Sequence, residues 1–327
     1  MKSKKIWGIV LGGLVIVVSL MLLSAPLFAK FPDKKITIVC PFGVGGGSDT
    51  FLRAFQKPLS RALGVPIVIV NVSGGGGLKG MIYASQQPAD GYTIFEFTTS
   101  HLIASVLKRS KVDLFKDFEI IARVQHDISV LWVSSKGKFQ SFKQLLDWAK
   151  KHPYRLTIAG TSPMGYDDLR DHLFAKDFGI KITFVPFEKG SQAKAAVLGG
   201  FVMAHMEEPL AIKSIIESGK GKALIVMYNK RLPLWKDTPA VNEFGVHDYL
   251  GVFRAFSIKK GTPQDKVKII TKAIEKAAHD PEYIEFTKKT MTNLRPGYLP
   301  GAQFLNELKE QKKMFEGVAK DLGYLKK

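Results

Sequence analysis

The stretch "ITIVCPFGVGGGSDTFLRAFQKPLSRALGVPIVIVNV", residues 36–72, decides the fold. Ile36 to Cys40 is an apolar run of strand length, and it is followed by three consecutive glycines, Gly45, Gly46 and Gly47, then Ser48 and Asp49. Phe51, Leu52, Phe55, Leu59, Ala62 and Leu63 then recur at helical spacing, and "GVPIVIVNV" returns to an apolar run. Strand, loop, helix and strand in that order make a βαβ unit, which implies a mainly parallel sheet with ligands beyond the strands' carboxyl ends. The glycine loop falls at such an end.

The alternation continues through "GGGGLKGMIYASQQ" and "YTIFEFTT". A second series begins near residue 128, from the strand-like "ISVLWVSS" through helices and strands to "KALIVM". After Leu250 only "GVFRAFSI" reads as a strand, and helical patterns follow, one of them starting with Thr262 as N-cap and Pro263 in the first turn. Helices with a single strand cannot make a third parallel sheet, so this tail is expected to pack back on the first lobe. The expected architecture is two α/β lobes, residues 30–127 with 251–327 and residues 128–250, between which the chain crosses twice.

The 327 residues, 46% of them hydrophobic, are enough to bury a large core. Residues 1–29 read as an export signal: three lysines, the apolar run Ile6 to Leu23, and Ala29 as a cleavage point, with an uncleaved anchor as the other reading. The remainder is expected outside the cytoplasmic membrane, soluble and monomeric. Without the signal's lysines the formal charge of +19 falls to +16, an excess that draws anions. The lysines are scattered rather than gathered on one recognition element, so no nucleic-acid partner is expected. Cys40 is the only cysteine, which leaves no internal disulfide and suggests a small buried hydrophobe.

"GVGGGSDT" lacks the lysine that a P-loop sets on the phosphates. Gly75, Gly77 and Gly80 fit the dinucleotide pattern, with Glu96 21 residues after Gly75, but Glu96 falls inside its strand rather than at the end. A simpler reading covers both loops: bare N–H groups at a helix N-terminus hold an anion, with Ser48 adding a hydroxyl. Asp49 either caps free amides or accepts from a ligand amino group. "AGTSPMGYDDL" repeats the arrangement in the second series, with Thr161 and Ser162 as hydroxyl donors. The seven histidines are dispersed without metal-ligand spacing, and no G-x-S-x-G elbow occurs, so no catalytic set, metal or cofactor is expected.

The segments "FPDKKITIVCPFGVGGGSD", "GVPIVIVNVSGGGGLKG", "PADGYTIF", "VPFEKGSQAKAAVLGG", "KALIVMYNKRLPLWKDTPAVNEFG" and "KKGTPQDKV" closely resemble, in order, those of the extracytoplasmic receptors of tripartite tricarboxylate transporters, the Bug receptors. The resemblance spans residues 31 to 324. It implies a periplasmic-binding-protein type II fold whose two lobes close over a small carboxylate (a di- or tricarboxylate, an aromatic acid or an amino-acid-like one) and deliver it to a membrane permease. Carried onto matching positions, it implicates Phe42, Gly45, Gly46, Gly47, Ser48 and Asp49, then Ser73, Gly74, Gly75, Gly76 and Gly77. It also implicates Thr99, Ser100 and His101, and Gly160, Thr161 and Ser162. Two departures add candidates. Tyr166, Asp167 and Asp168 replace hydroxyl donors, and Glu207 and Glu208 stand where small or neutral residues are frequent. Either these acids compensate helix N-terminal charge and solvate a turn, or one pairs with a ligand amino group. A dinucleotide-dependent enzyme using the Gly75–Gly80 loop, or a ligand sensor of the same fold without transport, are the alternative readings.

Overall fold

The computed structural model describes residues 31–161, 163–247 and 251–325. The signal or anchor expected over residues 1–29 lies outside these residues, as does Ser162. In chain order come β1 Ile36–Cys40, α1 Gly47–Leu63, β2 Ile67–Asn71, a 3-10 turn Gly75–Gly77, α2 Leu78–Gln86, β3 Thr93–Thr98, α3 Thr99–Val106, α4 Leu114–Asp117 and β4 Phe118–His126. Next are β5 Val130–Ser134, α5 Phe142–Lys151, β6 Leu156–Thr161, α6 Tyr166–Asp177, β7 Ile182–Phe187, α7 Gly190–Leu198, β8 Ala204–Glu207, α8 Pro209–Glu217 and β9 Gly221–Val226. Last are β10 Phe253–Lys259, α9 Gln264–Ala278, α10 Pro281–Lys289, β11 Leu299–Pro300 and α11 Gly301–Asp321.

The strands form two sheets, ordered β11-β4-β10-β3-β1-β2 and β7-β6-β8-β5-β9. β1 runs parallel to β2 and β3, and β6 parallel to β7 and β8. β10 is antiparallel to β3 and β4, and β5 is antiparallel to β8 and β9. Each of these two reversed strands is the first after a change of sheet, and that is why it is reversed. The chain leaves β4 at its carboxyl end and re-enters the other sheet after three residues, so β5 must run back from the edge it starts on. The carboxyl edges of both sheets therefore abut where the chain crosses.

The first βαβ unit forms as its pattern requires. Ile36, Ile38, Val39 and Cys40 are buried in β1, and α1 buries Phe51, Leu52, Phe55 and Leu59 on one face. Phe55 stacks on Phe256 of β10 at 5.3 Å between centroids and meets the edge of Tyr283 of α10 at 5.0 Å. Each such side chain contributes roughly 1.5–3 kcal/mol by leaving water. Gly64, at φ 74°, ends α1 and returns its N–H to the Ser60 carbonyl. α9 begins at Gln264 with Pro263 as its cap, because the Thr262 hydroxyl turns back to the Lys259 carbonyl instead of capping the helix.

The tail does not stay with the first sheet alone. β10 lies inside that sheet. α11 has 21 residues, about 31 Å, which is longer than one sheet face. Phe304 packs on Phe97 and Phe253, whereas Phe315 reaches the ring of Tyr166 of α6 at 6.4 Å. Leu169 and Leu173 of α6 join the same core, and the Tyr324 hydroxyl donates to Asp168 Oδ2 at 2.8 Å.

Candidate functional site

The first glycine loop caps itself. Gly46, the N-cap of α1, has no side chain to offer, and the Gly45 N–H donates to Asp49 Oδ2 at 2.9 Å. Asp49 Oδ1 accepts from Asn71 Nδ2 at 3.0 Å and from Arg53, and the residue is only 4% exposed. The Gly45 amide, then Asn71 and Arg53, outweigh burial and hold this carboxyl below its ordinary range. The amides of Gly47, Ser48 and Asp49 find no acceptor among the described residues. Ser48 Oγ donates to Glu96 Oε1 at 2.9 Å beneath the loop, where burial raises the Glu96 carboxyl to about 7. A carboxylate spent there is not presented at the end of β3, as a ribose contact would need. Arg254 of β10 donates to Asp127 Oδ2 at 2.7 Å, and its Nη2 lies 2.4 Å from where a Cβ on Gly47 would sit. A side chain at Gly47 would have to displace that guanidinium from Asp127.

A histidine clasps the second loop. His101 Nδ1 accepts the Thr98 N–H at 3.0 Å, so Nε2 carries the proton and donates to the Gly77 carbonyl at 3.3 Å. Burial lowers the ring to about 4, which keeps it neutral. Gly77 has φ 97°, and a Cβ there would meet His101 Nε2 at 2.6 Å. The Thr99 hydroxyl is tied to the backbone of Gly251 and Phe253.

In the second sheet both aspartates of "MGYDD" fasten the loop before α6. Thr161 donates its N–H and Oγ1 to Asp167 Oδ2 at 2.8 and 2.7 Å, and the Met164 N–H donates to Asp168 Oδ2 at 2.7 Å. Gly165 caps α6 without a side chain, so this helix too starts with bare amides. One turn on, the buried Arg170 donates Nε to Asp171 at 2.9 Å and Nη2 to the Met206 carbonyl at 3.2 Å, and its Nη1 is 3.4 Å from Asp167. Burial alone opposes the Arg170 charge, but Asp171 and Asp167 raise its pKa. Burial pushes Asp171 up to about 7. At the end of β8, burial and then the Glu207 charge raise Glu208 well above the carboxylate range.

Two cavities open where the sheets abut. The first, about 420 Å³, is lined by Gly75, Gly76 and Ser100 from one sheet's loops and by Thr161, Gly165, Tyr166, Asp167, Gly190 and Glu207 from the other's. The second, about 390 Å³, is lined by Gly45, Gly47, Gln125, Asp127, Leu210, Arg254, Phe286 and Met291. Glu208 and Val252 border both. Of the other sequence candidates, Phe42, Gly46, Ser48, Asp49, Ser73, Gly74, Gly77, Thr99, His101, Gly160 and Asp168 line neither cavity; Ser48, Asp49, His101 and Asp168 instead support the loops that do. Phe184 sits 2.5 Å from where a Gly160 Cβ would be, so that glycine serves packing. Arg170, Arg254, His205, Gln125 and Asp127 were not singled out from sequence. The one signal for Arg170 was its spacing, three and four residues after Asp167 and Tyr166 on one helix face.

Helix N-termini without side-chain caps, one from each sheet, thus open on cavities that share a wall. Comparison with known proteins agrees with this geometry. BugT of Bordetella pertussis is 26% identical over 268 residues, covering 80% of this chain and 82% of that protein. A TctC solute-binding protein from Polaromonas superposes with a TM-score of 0.78 at 22% identity, covering 89% of this chain and 99% of that one. A Rhodopseudomonas palustris protein solved with adipate gives a TM-score of 0.71 at 24% identity, covering 90% and 98%. These likenesses show the two-lobed type II fold. The family model described as the tripartite tricarboxylate transporter family receptor matches residues 51–322, most of the chain, and with the fold and the facing helix ends in place, the chain belongs to that family.

Proposed function

We propose that this chain is an extracytoplasmic receptor that captures a small carboxylate between its two sheets and hands it to the membrane permease of a tripartite transporter. The observation that carries the reading is the pairing of bare-backbone loops across the cavities, Gly75 and Gly76 facing Thr161 and Gly165, with uncapped helix ends at Gly46 and Gly165. Three or four hydrogen bonds to a carboxylate, each worth about 1.5–3 kcal/mol net, suffice for micromolar binding. The relative solved with adipate supports this ligand class. Residues 30–127 with 251–327 and residues 128–250 act as lobes, and a solute touching both stabilises the closed arrangement that the permease reads. On this reading the protein works in the periplasm as a monomer and catalyses nothing. Among the described residues no helix is long and apolar enough to cross a membrane.

The test is calorimetric titration with adipate, malate, citrate and amino acids, with NAD and NADP alongside. Micromolar binding of at least one carboxylate and none of either dinucleotide is expected. Dinucleotide binding without any carboxylate binding overturns the reading in favour of the enzyme alternative.

A further inference from the structure

We propose that Arg109, in the loop after α3, holds a second carboxylate of the solute, so that this receptor takes a diacid in preference to the monoacid of the same length. This rests on the carboxylate-receptor reading and names the residue that sets its selectivity. Two arginines border the first cavity, Arg109 and Arg170. All three Arg170 nitrogens are engaged, by Asp171, Asp167 and the Met206 carbonyl. The Arg109 side chain makes one hydrogen bond among the described residues, from Nη2 to the Met164 carbonyl at 2.7 Å, and no ion pair. Its Nε and Nη1 remain for a ligand. The acids on the same wall do not take this charge. Asp167 is spent on Thr161 and Arg170, and Glu208 stands well above the carboxylate range. Glu207 Oε2 lies 3.5 Å from where a Cβ on Gly190 would sit, at the first turn of α7, whose dipole favours its charge.

The guanidinium is fixed from both ends. α3 finishes in a Schellman motif: Lys108 has φ 52°, its N–H donates to the Ser105 carbonyl at 3.3 Å, and the Arg109 N–H donates to the Ala104 carbonyl at 3.0 Å. From this anchored backbone the side chain crosses to the loop before α6, which belongs to the other sheet. The Met164 carbonyl that it reaches is bonded to the nitrogen of Gly165, so the guanidinium stands beside the uncapped start of α6. A carboxylate placed there meets a full positive charge from one lobe and bare amides from the other. Elsewhere on the cavity wall, the amides of Gly75 and Gly76 find no acceptor among the described residues, and they are left for the solute's other carboxylate. A monoacid fills only one of these two places.

The experiment titrates the full chain calorimetrically with matched pairs: succinate against butyrate, glutarate against pentanoate, adipate against hexanoate. In at least one pair the diacid should bind about tenfold or more tighter, the equivalent of one charge-assisted hydrogen bond. Arg109→Gln should remove most of that preference by weakening the diacid while leaving the monoacid nearly unchanged. The ratio is taken within one variant, so a general loss of folded protein cancels from it, and a merely structural role for Arg109 would weaken both members alike. Monoacids that bind as tightly as their diacids in every pair overturn the proposal and leave the receptor reading standing. So does a variant that keeps the preference or weakens both members equally. Failure of every compound to bind removes both readings.

Discussion

Glu96 offers a test of how the first glycine loop is supported. It lies wholly buried in β3, accepts the Ser48 hydroxyl, and is held near 7 rather than at 4.5 by burial, with Arg254 and Ser48 acting in the opposite direction. A buried acid whose folded pKa is raised adds stability that is fully present below the unfolded value and is lost as pH rises through the folded one. The shift from 4.5 to about 7 corresponds to about 3 kcal/mol lost between those two pH values. Glu96→Gln keeps an acceptor for Ser48 and removes the titration. The stability of the variant minus that of the natural protein should therefore rise by about 3 kcal/mol between pH 4.5 and pH 8. Urea unfolding followed by tryptophan fluorescence at the two pH values measures this. Asp171, also raised to about 7, titrates in both proteins and cancels from the difference. A difference that stays flat with pH, or that falls, refutes the reasoning.

Two further outcomes follow from single contacts. Asp49→Ala removes the acceptor of the Gly45 amide, Asn71 and Arg53, and should cost about 2–4 kcal/mol of stability and weaken carboxylate affinity, read by thermal melting and calorimetry. Because the Asp49 pKa is depressed, the stability cost of Asp49→Ala should be present at neutral pH and fade as pH falls below about 4. Tyr324→Phe removes the hydroxyl that reaches Asp168 across the sheets. It should cost about 1 kcal/mol in unfolding and speed amide exchange at the start of α6, whereas unchanged exchange there would show that the Tyr324–Asp168 bond does not hold α6.

The sequence by itself determined most of the elements and their order, but not α3, α4 and β4 between residues 99 and 126, nor β11, a second strand in the tail where only one was expected. Periodicity is a local property, so the strand, glycine loop and helix of residues 36–63 are legible from neighbours alone, and six ordered motifs pointed to the family. It also pointed to the loops that border the cavities, because bare amides at a helix N-terminus suit an anion, although the same glycines suit a tight turn equally well. It left open what Asp49, Asp167 and Asp168 do, since a cap and a ligand contact need the same residue at the same place. Only the tertiary structure decided that all three fasten loops, through the amides of Gly45, Thr161 and Met164. It alone reversed β5 and β10, carried α11 to Tyr166 as well as to its own sheet, and set Arg254 beside Gly47 with Asp127 as partner, 127 positions away in the chain. The physical reason is one of range: backbone preference acts over a few residues. Which polar groups line a cavity wall depends on every element folded against it.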